Sequence, residues 1–404
     1  MLASSALVLL MVPGLALFYG GMVRRKNILS TMMHSFLAMA VIGVQWIVVG
    51  YCLSFGKTLG GIVGWDTGLL FLNDIPHTKL FGDKGIPELV FVMFQGKFAI
   101  ITPALISGAV AERINLRGYL VFIALWATFI YCPLAHWVWA SDGWLFKMGV
   151  LDFAGGTVVH IAAGVSALVL AKLIGPRRDY KPDGGYAILP NNLTLTLTGA
   201  GLLWFGWFGF NAGSAVAVES PVSGAVAGLA FATTQSAAAA AALTWMIIER
   251  WKHGKATSVG MASGIVAGLV AITPAAGHVK PWAALVMGAL AAIVCFVAVQ
   301  QKARWKVDDS LDAFGVHGVG GLLGALLVGV FCFTPNEGLL AGSFTQLGKQ
   351  AIGVAVAVVF AGLGSLLLGV LTHKVIGLRA SERSERDGLD ITVHGERGYH
   401  LEQA

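Results

Sequence analysis

Charge is scarce in this chain. Asp, Glu, Lys and Arg make up 12% of its 404 residues, against 56% apolar side chains and a mean hydropathy of +0.77. A soluble fold of this length needs a charged shell, so a water-soluble globular protein is excluded and a polytopic membrane protein remains. Cysteine is scarce too: Cys52, Cys132, Cys295 and Cys332 lie in or beside apolar runs, without CxxC or metal-site spacing, which leaves packing as their role. The basic residues behind the pI of about 9.1 occur in short clusters between apolar runs, an arrangement that sets membrane topology and speaks against nucleic-acid binding. No basic segment precedes the first apolar run, 1–23. Arg24, Arg25 and Lys26 follow it, the reverse of a cleavable signal peptide.

What is abundant is span-length apolar sequence. Eleven spans are expected, at about 1–23, 31–56, 88–111, 118–139, 151–173, 192–213, 223–249, 257–276, 282–301, 313–333 and 348–373. With the N-terminus outside and the C-terminus inside, only Lys57, Lys79, Lys84, Lys97, Lys147, Lys280 and Lys349 of the 27 basic residues fall on the outer side. That bias supports this orientation over its inverse. The loop 57–87 reads as an outer cap, and the Gly/Pro-rich inner loop 175–190 as either a linker or a docking surface.

Two stretches interrupt the apolar pattern in the same way. Asp152 precedes His160 by eight residues in LDFAGGTVVH, and Asp309 precedes His317 by eight in DDSLDAFGVH. Eight helical residues rise about 12 Å, so each histidine falls near the middle of a hydrocarbon layer about 30 Å thick. The two stretches lie in spans five and ten, which run in opposite directions. The fold class that follows is an all-α polytopic membrane protein of eleven transmembrane helices: two inverted five-helix repeats, about 1–174 and 191–333, and a final peripheral helix, about 348–373. Residues 1–376 then form the transmembrane domain and 377–404 a cytoplasmic tail. Thr102-Pro103 and Thr273-Pro274, in spans three and eight, are a weaker match of the same kind.

Polar groups inside a bilayer are costly and mark function. For His160 and His317 the competing readings are core histidines satisfied by backbone carbonyls, a metal centre with too few ligands, and a pair of neutral imidazoles that meet and pass a proton. Asp309 and Asp312 read as helix N-caps, whereas Asp152 is split between capping and support of an outer cation site. Phe94 and Phe98 lie one turn apart in FQGKFAIITP, and Phe210 and Ser214 one turn apart in WFGWFGFNAGSA, with Trp204 and Trp207 deeper and Trp139 at the outer end of span four. Aromatics and a hydroxyl suit a small cation, each cation–π contact being worth about 0.5–2 kcal/mol.

FYGGMVRRKN, FQGKFAIITPALISGAVAERI, LDFAGGTVVH, WFGFNAGSA, VDDSLDAFGVHGVGG and the tail GLRASERSERDGLDITVHGE resemble, in order over nearly the whole chain, the ammonium transporter (Amt) family of the Amt/Mep/Rh superfamily. The resemblance implies an outer ammonium site at Trp139 and Ser214, supported by Asp152, and a gate of Phe98 and Phe210. Beneath them it implies a pore with the twin histidines His160 and His317 and the lining Trp207; the residue pattern adds Phe94. It further implies a homotrimer in the cytoplasmic membrane, with PII-type signalling proteins docking at loop 175–190 and the tail from Gly377. No enzyme activity, cofactor or metal is implied. The chain reaches its first span sooner than is usual in the family, and Lys97, beside Phe98, is expected to snorkel outward.

The expected function is ammonium/ammonia transport. Ammonium is recruited outside and deprotonated, and ammonia passes the histidines while the proton travels separately, making transport electrogenic. An ammonium sensor and an Rh-like electroneutral channel for ammonia or carbon dioxide are the alternatives. With only about 30 residues after span eleven, the sensor reading lacks the appended domain it would normally carry.

Overall fold

Apolar runs rich in small residues pack as helices side by side, and in this chain nearly every long run does so. The computed structural model describes residues 1–82, 85–181, 189–216 and 221–399. Its apolar helices are Leu2–Met22 (α1), Arg25–Phe55 (α2), Glu88–Val110 (α3), Leu116–Met148 (α4), Gly156–Ile174 (α5), Leu193–Gly213 (α6), Gly224–His253 (α7), Ser258–Ile272 (α8), Pro281–Gln301 (α9), Phe314–Phe331 (α10) and Thr345–Val375 (α11). Among the described residues, ten of these are long and apolar enough to cross a membrane. The shorter α8 stops at the Thr273-Pro274 pair, where proline cannot continue the helix. The following turns bury Thr273, Ala275, Ala276 and Val279 completely, so the apolar run continues past the helix end in the position of the expected eighth span. The four cysteines are free and buried.

α1 packs along α6, α7 lies against α8 and α9, and α11 leans on α5 and α10. α11 offers one buried stripe, Gln346, Gln350, Gly353, Ala357, Ala361 and Ser365, while Val359, Leu363 and Leu367 on its other side are exposed. That is the pattern of a helix covering the outside of a bundle.

The helices that carry the two histidines begin alike. α5 opens with a π-helical turn, Gly156–Ile161, that contains His160, and α10 opens with another, Phe314–Gly318, that contains His317. Asp152 accepts the amides of Gly155 (2.9 Å), Thr157 (2.8 Å) and Val158 (3.1 Å). Asp309 accepts those of Ala313 (2.9 Å), Phe314 (2.8 Å) and Gly315 (3.3 Å). Each carboxylate satisfies amides that the first turn leaves orphaned and sits at the positive end of the helix dipole.

The two histidine helices touch through glycine. A Cβ placed on Gly164 of α5 would collide with the backbone of Gly318 on α10. Gly164→Ala should therefore push the helices apart at a cost of about 1–3 kcal/mol. A lowered melting temperature of the detergent-solubilised variant is the expected result, and an unchanged one would show that the contact tolerates a methyl group.

At the end of the bundle that carries Arg24, buried charges are tied together. Glu112, fully buried, accepts from Arg24 (2.9 Å), Asn27 (2.9 Å) and Arg177 (2.7 Å), and Arg177 also pairs with Asp308 (2.7 Å). Burial alone would raise both carboxyls, but the Arg177 and Arg24 guanidiniums around Glu112, and Arg177 and Arg113 around Asp308, outweigh it and hold both below their ordinary values. Groups depressed on folding contribute stability that is complete above the unfolded values, 4.5 and 3.8, and is lost as pH falls below them through the folded ones. The melting temperature should thus hold from neutrality to about pH 5 and fall steeply below about pH 4; Glu112→Gln should flatten part of that fall.

The tail docks at the same end. The Asn27 side-chain oxygen accepts the Leu389 amide (2.8 Å), Asp390 accepts the Ser30 amide (2.8 Å), and Arg379 donates to the carbonyl of Ile174 (2.9 Å). At the opposite end, the loop between α2 and α3 forms a small hairpin, Thr58–Leu59 with Val63–Gly64, and stacks Phe81 on Phe91.

Candidate functional site: a vestibule, an aromatic floor and two histidines

At the end opposite Arg24, a vestibule of about 700 Å³ opens between α3, α4, the start of α5 and the end of α6, lined by Gln95, Phe98, Trp139, Leu151, Asp152, Ser214 and His278 among others. Trp139 is fixed by its indole N–H, which donates to the Asp152 carbonyl at 2.9 Å. Ser214 donates its hydroxyl to the Phe210 carbonyl at 2.9 Å, which leaves the oxygen lone pairs free to accept.

Phe98 and Phe210 close the floor. Their rings stack at 4.1 Å and 29°, and each is 1% exposed. Trp139 stands edge-on to Phe98 at 6.0 Å. Beneath the pair lies a second cavity of about 10 Å³, lined by Phe210, His160, Trp207 and His317 and by aliphatic side chains such as Leu15, Ile101 and Val266. That volume suits about one water-sized molecule. The ring of His160 faces Trp207 at 5.4 Å and 17°, and His317 at 5.4 Å and 18°.

The imidazole nitrogens matter here for their place at the cavity, since buried His34, which lines neither cavity, is unpaired as well. Among the described residues, Nδ1 and Nε2 of His160 and Nδ1 of His317 have no hydrogen-bond partner. Orphaned buried polar atoms carry a penalty of about 1–3 kcal/mol each, which a water or a polar solute in the adjoining space relieves. Here the two rings line a small cavity whose other walls are apolar side chains and the Trp207 indole. The two rings lie face to face at 5.4 Å but do not bond to each other, so a proton passing between them needs a molecule in the gap.

Aromatic vestibule, stacked floor and two histidines at a small apolar cavity are the features that a relative would share. The family model described as Ammonium Transporter Family matches residues 1–399. The chain belongs to the ammonium transporter family. It is 45% identical to an ammonium transporter of Bacillus subtilis, covering 97% of this chain and 96% of that one. It is 44% identical to "Ammonium transporter Amt1" of Archaeoglobus fulgidus, over 98% and 97%. Among solved structures it resembles Mep2 of Saccharomyces cerevisiae, with a TM-score of 0.86, 36% identity and coverage of 94% and 86%. It likewise resembles a protein titled "Sensor Amt Protein", with a TM-score of 0.88, 32% identity and coverage of 97% and 96%.

Of the residues this family member's sequence singled out, Phe98, Trp139, Asp152 and Ser214 come together at the vestibule, and His160, Trp207, Phe210 and His317 at the inner cavity. Phe94 does not line either cavity. Fully buried, it meets Phe98 edge-on at 4.9 Å and backs the floor instead of lining the pore. Asp152 borders the vestibule at 7% exposure, but its carboxylate oxygens are occupied by the amides of α5 and by the Thr157 hydroxyl. Lys97 is half-buried and lies outside both linings.

Sequence reasoning missed the groups that hold these residues in place. Thr273 accepts the Trp207 indole N–H at 2.8 Å, and Thr102 donates its hydroxyl to the Phe98 carbonyl at 2.6 Å. Both belong to the matched Thr-Pro pairs, which were the available signal. Residues 182–188 of the suggested docking loop, and 400–404 of the tail, lie outside the described residues.

Proposed function

We propose that the protein transports ammonium, taking the cation at the vestibule and passing ammonia through the inner cavity. The carrying observation is the set of unpartnered imidazole nitrogens in a cavity of molecular size beneath stacked phenylalanines. A bare cation moved into an apolar tube costs tens of kcal/mol by the ideal Born estimate. The outer aromatics return about 2 kcal/mol at best. The charge is therefore parted from the nitrogen cargo: at the vestibule, the face of Trp139 and the Ser214 lone pairs hold the cation while Phe98 and Phe210 bar its way, and its proton passes to the imidazole chain below. Ammonia, once a proton has left, needs only hydrogen-bond partners, and His160 and His317 offer them on either side of the gap. The proton follows through the same imidazoles, with the cargo or a water bridging the rings, which makes transport electrogenic. Potassium has no proton to release and is excluded.

Asp152 acts in this scheme by seating the start of α5 and placing its negative charge under the vestibule. The basic end, with Arg24 and the docked tail, faces the cytoplasm by the positive-inside rule, placing the N-terminus outside and the C-terminus inside the cytoplasmic membrane. The family resemblance further supports a homotrimer with one pore per subunit and a PII-type protein at loop 175–190 and the tail.

Reconstituted protein on a solid-supported membrane should give saturable currents with ammonium and none with potassium. Equal currents with both ions, or none with ammonium, would reject the proposal; ammonia flux without current would favour the electroneutral channel. The likeness to the sensor protein favours a second reading, in which the same vestibule reports ammonium instead of conducting it. Ammonium binding without flux would be its signature.

A further inference from the structure

α11 is the helix left over once the other ten are divided into halves, and its exposed outer side suggests mere covering. Its inner face does more. Gln350, fully buried, receives the Leu151 amide on its side-chain oxygen at 2.7 Å and donates its amide nitrogen to the Leu151 carbonyl at 2.8 Å. A side-chain amide thus grips one residue of main chain from both sides, as a neighbouring strand would. The same nitrogen also reaches the Ala325 carbonyl, at 2.9 Å, on the helix that carries His317.

One turn earlier, Gln346 donates to the Gly149 carbonyl at 3.0 Å and to the Gln350 oxygen at 3.0 Å, while Asn336 donates to the Gln346 oxygen at 2.9 Å. One turn later, Gly353 leaves room for Val150, whose side chain a Cβ there would strike at 2.6 Å. Residues 149–151 are therefore seated on α11 by consecutive turns of the helix.

That segment leads directly into the vestibule. Leu151 lines it, and the next carbonyl, Asp152, is the acceptor that orients Trp139. We propose that Gln350 is a positioning residue for the outer cation site, holding Leu151 so that the Asp152 carbonyl keeps the Trp139 indole over the cation. This rests on the proposed ammonium route. The amides of buried Gln346 and Gln350 are directed at main chain and at each other, so their action on the cation passes through the backbone they fix.

Gln350→Met preserves length and burial but removes all four side-chain hydrogen bonds at this residue. In reconstituted protein its half-saturating ammonium concentration should rise about tenfold, a shift clearly larger than the change in maximal current, because binding at the entrance is lost while the route below is not. Combined with Trp139→Ala, the shift should be much less than additive, since both changes act on one ring. Gln350→Glu keeps an oxygen for the Leu151 amide but cannot keep both donations to the Leu151 and Ala325 carbonyls, so it too should raise half-saturation. In the wild type, the Leu151 amide should exchange with deuterium as slowly as the helices beside it.

An unchanged half-saturation in Gln350→Met, a fully additive double variant, or rapid exchange at Leu151 would overturn the inference while the transport reading stood. A wild type without saturable ammonium current would instead overturn the transport reading. Should Gln350→Met fail to fold, Gln350→Glu and the exchange measurement decide the matter.

Discussion

Alanine at His160 or at His317 should cut the ammonium-evoked current of reconstituted protein at least about tenfold, the effect of losing one or two hydrogen-bond partners worth about 1–3 kcal/mol when buried. Each ring is almost completely buried, faces the other at 5.4 Å, and keeps nitrogen unpaired inside the inner cavity. Below the phenylalanine floor the other side chains at hand are mostly aliphatic or aromatic, so an imidazole removed there has no substitute. The cavity also widens, which admits water and lowers the barrier that excludes potassium. The two variants should therefore lose ammonium current and selectivity together. Unchanged, potassium-excluding currents in both would reject the histidine relay.

Asp152→Ala should give the largest structural loss. The carboxylate accepts from the amides of Gly155, Gly156, Thr157 and Val158 and from the Thr157 hydroxyl, all buried at the start of α5. Alanine strands all of these donors and removes a negative charge from the positive end of a helix. A cost on the order of 3–5 kcal/mol follows, the upper end for a single substitution. The π-helical turn that carries His160 starts within this cap, so transport should disappear along with thermal stability. Melting curves and currents on the same preparation separate the possible roles. Loss of both is the outcome of a capping carboxylate, whereas a stable protein without current would make Asp152 a direct ligand of the cation. Asp152→Asn, with one acceptor oxygen retained, should fall between alanine and the wild type in stability.

Proximity of Phe94 and Phe98 along α3 was legible, because residues four apart share a helix face. Their different fates were not. That face meets α6 at one level and the cavities at another, so Phe98 reaches the floor while Phe94 is sealed behind it, against Gly213. Helical periodicity tells which residues look the same way and is silent about what they look at. For the same reason, nothing in the sequence singled out Gln350, and Thr102 and Thr273 stood only as half of a weak pattern.

The sequence by itself determined that the chain is an all-α polytopic membrane protein and that two Asp-to-His stretches of equal spacing open two of its apolar helices. Both follow from the cost of placing polar groups in hydrocarbon, which is written residue by residue into hydropathy and spacing. The tertiary structure alone decided that the rings stop short of bonding, that both oxygens of Asp152 are taken up by the start of its helix, and that the last helix grips the vestibule wall. These depend on which backbone atoms arrive unpaired at each meeting of helices, a quantity that exists only once the helices have packed.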